Sequence, residues 1–192
     1  PRKTNNNKRS VFLYFLCIGL GFLYIELAFI EKLTLVLSQP IYAVAVTLCA
    51  FLVFSGLGSL YVQRFQRDDQ AGKTPGILTL SIFMIIGITV LYTLLIPRVS
   101  SDLMSLPLIT RLLAAFLLAA PLAFAMGMPF AVGLTAVQSS EPQLVPWAWG
   151  INGCASVVSA VLAVLLAIDI GFSGVMLLAA ALYLVAWLNR LS

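Results

Sequence analysis

From Val11 to Leu188 the sequence is a succession of apolar runs, most of them at least as long as the roughly 20 residues a helix needs to cross a bilayer core about 30 Å thick. Lipid is the solvent such runs imply. Hydrophobic residues fill 61% of the 192 positions and charged ones only 9%, with a mean hydropathy of +1.06, whereas soluble domains run near 45–50% apolar and 25% charged. The expected fold is therefore all-α, a polytopic transmembrane helical bundle of about six spans. The loops are too short to hold a separate soluble domain, so residues 11–190 read as a single transmembrane domain behind a basic leader at 1–10.

The spans are expected at about 11–37, 41–62, 76–96, 108–137, 146–168 and 172–188. The first carries Glu26, Glu31 and Lys32 in its second half, and the third ends at Pro97-Arg98. The fourth is longer than a straight crossing requires and contains Pro121, Gly127, Pro129 and Gly133, which predicts a kinked or broken helix. The turn Asp169-Ile170-Gly171 separates the last two. Orientation follows from the basic residues at the span ends. Six spans with an inward N-terminus put Arg2, Lys3, Lys8, Arg9, Arg64, Arg67, Lys73 and Arg190 on the cytoplasmic side, leaving Lys32, Arg98 and Arg111 outside. Both termini are thus expected in the cytoplasm.

Composition also narrows the chemistry. Histidine is absent, which removes the commonest transition-metal ligand and the usual neutral-pH base. Cys17, Cys49 and Cys154 lie within apolar runs with no zinc-like spacing, and no nucleophile stands beside a base. No catalytic residue, metal or cofactor is expected. The net charge of +4 is that of positive loops beside anionic lipid; no basic patch interleaved with aromatics suggests nucleic acid. The expected partners are the lipid bilayer and other membrane protein chains.

Two groups of residues stand out. An ionisable side chain in a bilayer costs about 2.5–3.5 kcal/mol on insertion scales, and Glu26 lies about 22 Å along the helix from Val11 at 1.5 Å per residue. Glu31, Lys32, Arg111 and Asp169 enter from the same side, so the topology predicts a polar cluster in which Glu26 faces protein and reaches Arg111 or a partner chain. The cluster is either a site on a pathway or an ion-pair group fixing helix packing. In the fifth span Gly150, Gly153, Ser156 and Ser159 recur at intervals of three beside Asn152, a stripe suited to close helix packing or, at Asn152, to ligand contact. Trp147 and Trp149 read as an interfacial belt. Ser55-Gly56-Leu57-Gly58-Ser59 lacks the strand and acid of a dinucleotide loop.

Several stretches resemble the membrane half of bacterial spermidine synthase-like membrane proteins: Gly19-Leu20-Gly21-Phe22-Leu23-Tyr24-Ile25-Glu26 with Glu31-Lys32; Ser38-Gln39-Pro40 with Tyr42; Ser55-Gly56-Leu57-Gly58-Ser59; Met126-Gly127-Met128-Pro129-Phe130 with Gly133-Leu134; and Pro146-Trp147-Ala148-Trp149-Gly150-Ile151-Asn152-Gly153 with Ala155-Ser156-Val157. In that family aminopropyl transfer belongs to a Rossmann-like soluble domain, which has no counterpart in these residues. The resemblance implies a module of a bacterial inner membrane whose catalytic domain is missing, separate or degenerate. Three functions are expected in order: a non-catalytic membrane subunit or anchor packing against partner chains; a small transporter or permease-like module; and the membrane portion of a polyamine-synthase-like or methyltransferase-like enzyme completed by another chain.

Overall fold

The computed structural model describes residues 2–67 and 74–189. Part of the polar connection around Arg67, Asp68, Asp69 and Lys73 lies outside them, as does Arg190. The described residues form five long helices, α1 (Arg2–Leu37), α2 (Pro40–Arg67), α3 (Thr74–Met104), α4 (Leu108–Ser140) and α5 (Val145–Leu188), with a short 3-10 turn at Pro142–Leu144. All five are long and apolar enough to cross a membrane. No strand occurs among the described residues.

Helix ends follow local chemistry where the sequence supplies a stop. Ser38 adopts a positive φ of 61° and its N–H donates to the Thr34 carbonyl (3.0 Å), closing α1, while Pro40 opens α2 without wasting a donor. Nothing between Arg2 and Ile18 is glycine or proline, so the segment expected as a leader is continuous with the first helix. The stop expected at Pro97 is absent, and α3 runs on to Met104. Pro97 forfeits one backbone bond, to the Thr93 carbonyl, and the Arg98 guanidinium donates to the adjacent Leu94 carbonyl (3.2 Å).

Of the kinked or broken helix expected in the fourth span, the break is absent: α4 continues through Pro121 and Pro129. The two prolines forfeit the bonds to the Leu117 and Ala125 carbonyls, and neighbouring helices donate elsewhere to the backbone of α4, the Tyr92 hydroxyl to the Leu118 carbonyl (2.8 Å) and the Tyr14 hydroxyl to the Pro129 carbonyl (2.7 Å). The break falls in α5 at Gly171, with φ 68° and ψ 164°, a conformation open essentially to glycine alone.

That residue reverses the chain. Gly19 of α1 lies against Asn152 and Ala155, Lys32 donates to Ser173 Oγ (2.8 Å), and Gly21 lies against the Tyr183 ring. The first arm of α5 (145–170) thus follows α1 from the level of Gly19 to that of Lys32, and the second (172–188) returns to the level of Gly21. Gly19 and Gly21 are 200° apart around the helix, so the two arms grip α1 from opposite sides. α1 touches each of the other four helices and is the most buried of them.

α2 and α4 cross through glycine. A methyl on Gly58 would collide with the Phe124 carbonyl, and one on Gly127 with the Ser55 carbonyl. Each helix rests its backbone on the other, the close approach that small residues permit in apolar surroundings. The outer faces are apolar, with Leu52, Ile109, Val157 and Ile168 each more than 70% exposed.

Candidate functional site

Of the predicted polar cluster, only Glu26 is buried, at 7% exposed. Its carboxyl makes no hydrogen bond or ion pair among the described residues. The expected partnership with Arg111 is contradicted: Arg111 Nε donates to the Leu106 carbonyl (2.9 Å) and its Nη1 to the Val36 carbonyl (3.3 Å), one of the open carbonyls at the end of α1. Val36 is ten residues beyond Glu26, about 15 Å along the helix, which places the guanidinium out of reach. Glu31 and Asp169 are exposed, and Lys32 is engaged with Ser173. The five residues form no ion pair with one another. Entry from the same side fixed their approximate level but not their separation.

The stripe on the fifth span is corrected too. Steps of three residues advance 300° around a helix, so Gly150 and Ser159 fall on opposite faces. Ser159 is buried, whereas Gly150 and Gly153 are exposed and an added methyl at either would meet nothing within 4 Å. The serine hydroxyls bond within their own helix, Ser156 to the Asn152 carbonyl (2.9 Å) and Ser159 to the Ser156 carbonyl (2.7 Å). The residues that seat α1 on this arm are Asn152 and Ala155.

Asn152 also lines a cavity of about 520 Å³ between α1, α2, α4 and both arms of α5. Its walls draw on four of the stretches singled out in the sequence: Phe22 and Leu23; Ser55, Gly56 and Ser59; Met126, Gly127 and Phe130; Trp149 and Asn152 with Ser156. Tyr183 closes the far side. Trp149, expected as a belt residue, stands edge-on to Phe130 with ring centroids 4.8 Å apart. The close crossing at Gly58 and Gly127 brings the Ser55 turn of α2 to this wall.

The chemistry of the cavity is a mostly apolar lining with a few neutral hydrogen-bonding groups. The hydroxyls of Ser55 and Ser59, the side-chain amide of Asn152 and the Tyr183 phenol make no hydrogen bond among the described residues. Tyr183 is only 1% exposed. A phenol on an otherwise apolar wall is a hydrogen-bonding group available to whatever fills the cavity. Convergent polar groups in an apolar concavity of a few hundred Å³ are the usual signature of a small-molecule site. Tyr183 was missed in the sequence because a lone tyrosine in an apolar helix carries no periodic signal. Ser55 and Ser59 were visible only as part of a glycine-rich run.

No group of three or more potential metal-ligating His, Cys, Asp or Glu side chains occurs among the described residues. No protein-family model matches the chain, and no curated protein or solved structure matches it either.

Proposed function

We propose that the chain is a six-span membrane protein that binds a small molecule in the cavity between α1, α2, α4 and α5, as a transporter or permease-like module does. Five apolar helices of spanning length and the reversal at Gly171 support six crossings. The basic residues flanking one end of the bundle support a cytoplasmic location for that end. The observation that carries the reading is a cavity between four helices whose lining holds Tyr183, Asn152, Ser55 and Ser59, none of whose side chains is hydrogen-bonded among the described residues. These groups are left for something that enters. Glu26, one helical turn beyond Phe22 and Leu23, supports the same reading, since a buried acid with no partner among the described residues is left for a group that comes from outside the chain.

Mass measurement of the protein released directly from native membranes tests the proposal. One bound small molecule per chain is expected, lost when Asn152 and Ser59 are both replaced by leucine. A chain that emerges with the site empty, or a molecule that survives the double substitution, would contradict it.

A second reading, a membrane subunit that docks on partner chains, is favoured by a separate observation. Gly150, Gly153 and Cys154 are open on the outer face of α5, beside an apolar groove of about 580 Å³ against Phe12, Leu16 and Leu20. In the same mass measurement this reading expects a retained protein chain, released by Gly150→Leu.

A further inference from the structure

Glu26 and the cavity are adjacent by helix register. Phe22 and Leu23 line the cavity, and Glu26 follows them by four and three residues, about one turn or 5–6 Å further along the same face of α1. On that face Glu26 is bracketed by Phe22 and Phe29, whose rings both stand against Phe51 of α2, with centroids 5.9 and 5.6 Å away. Phe29 also meets Tyr92 of α3 at 5.7 Å. The acid therefore lies one turn beyond the α1 wall of the cavity, on the face of α1 that carries these aromatic rings. The nearby bases do not neutralise it: Lys32 is committed to Ser173 and Arg111 to carbonyls at the end of α1.

We infer that the cavity takes an amphipathic monocation: an apolar body lying against Phe22, Met126 and Phe130, and one ammonium head directed at Glu26 and the rings beside it. The inference rests on the reading of the cavity as a ligand site. Its own warrant is charge and shape. A single carboxylate out of water is compensated by one positive charge and no more. Aromatic faces attract an organic cation, and do so more strongly where it has shed its water. The other polar groups of the cavity, the serine hydroxyls and the Asn152 amide, are neutral and add no charge that would compete with Glu26 for the head. An anionic head would meet Glu26 as a like charge, and a neutral head would leave the acid uncompensated.

Three probes that share a body and differ in the head test this: 6-phenylhexylammonium, 6-phenylhexanol and 6-phenylhexanoate. Binding is measured to the full chain in nanodiscs of zwitterionic lipid, with empty nanodiscs subtracted and Trp149 fluorescence as the signal after Trp147 and Trp187 are replaced by phenylalanine. The ammonium is expected to bind at least tenfold more tightly than the alcohol, and the carboxylate most weakly. Glu26→Gln is expected to remove the ammonium's advantage while leaving the alcohol unchanged, and Glu26→Asp, which retains the charge, to preserve it. Equal binding of ammonium and alcohol, both weakened by Asn152→Leu, would overturn the cation inference and leave the cavity reading standing. Tighter binding of the carboxylate would overturn the inference as well. If none of the three binds, the cavity reading and the inference fall together.

Discussion

Gly58 and Gly127, where α2 crosses α4, and Gly150 and Gly153, on the first arm of α5, look alike in the sequence, as glycines inside long apolar helices. In the structure they are opposites. The first pair is closed, each glycine lying on a carbonyl of the facing helix, and the second is open, with nothing within 4 Å of an added methyl. A small residue permits close approach but does not cause it. What decides is whether another helix arrives at the same level.

The comparison breaks if the two pairs tolerate bulk equally. Gly58→Leu and Gly127→Leu each drive a side chain into backbone that cannot step aside, so each is expected to destabilise by about 3 kcal/mol or more, the upper end of overpacking costs. Alanine should already be costly at both positions, because the first carbon is the one that collides. The measurement is the midpoint of thermal unfolding in detergent, followed by tryptophan fluorescence. Unchanged midpoints would mean that the helices do not meet there.

Gly171 sharpens the comparison, since it is as open as Gly150 and yet required. Its need is conformational, the positive φ of 68° with ψ 164°. Gly171→Ala is expected to cost about 1–3 kcal/mol in the same unfolding measurement. Asparagine should not rescue it, because that region is open essentially to glycine alone. A neutral result at Gly171 would remove the reversal in α5.

Gly133 is closed by a side chain, Tyr14, rather than by backbone. Tyr14→Phe keeps the ring over Gly133 and deletes only the 2.7 Å bond to the Pro129 carbonyl, so a smaller loss of about 1 kcal/mol is expected. The smallest effects belong to the open pair. Gly150→Ala and Gly153→Ala should shift stability by about 0.5 kcal/mol or less, in sharp contrast to alanine at Gly58 or Gly127. A large loss at either position in the isolated chain would show that this face is packed after all.

Local chemistry made some of this legible in the sequence. The Ser38-Gln39-Pro40 stop and the Gly171 turn could be read from residues alone, because a proline start and a glycine with positive φ act within a few positions. Spatial neighbours could not. Glu26 could be placed at a depth but not beside a partner, and the three-residue stripe on α5 was read as one face although it winds halfway round the helix. Pro97 and Pro121 suggested breaks because nothing in the sequence announces that Arg98 or Tyr92 will donate to the carbonyls nearby. The cavity draws its walls from four helices, and its most buried polar group, Tyr183, lies 31 residues from Asn152 in sequence. No local pattern joins them.

The central claim is that the hydrogen-bonding groups between α1, α2, α4 and α5 face a space that small molecules reach. Ser59 and Leu60 test it most directly. Ser59 lines the cavity, while Leu60 is 54% exposed on the outer face, which lies in hydrocarbon if α2 spans the bilayer. In a chain with Cys17, Cys49 and Cys154 replaced by alanine and held in nanodiscs, a water-soluble thiosulfonate should modify Ser59→Cys and leave Leu60→Cys unmodified, because a thiol reacts as the thiolate and needs water to form it. Reaction at Leu60→Cys with none at Ser59→Cys, or equal inertness at both, would contradict the account.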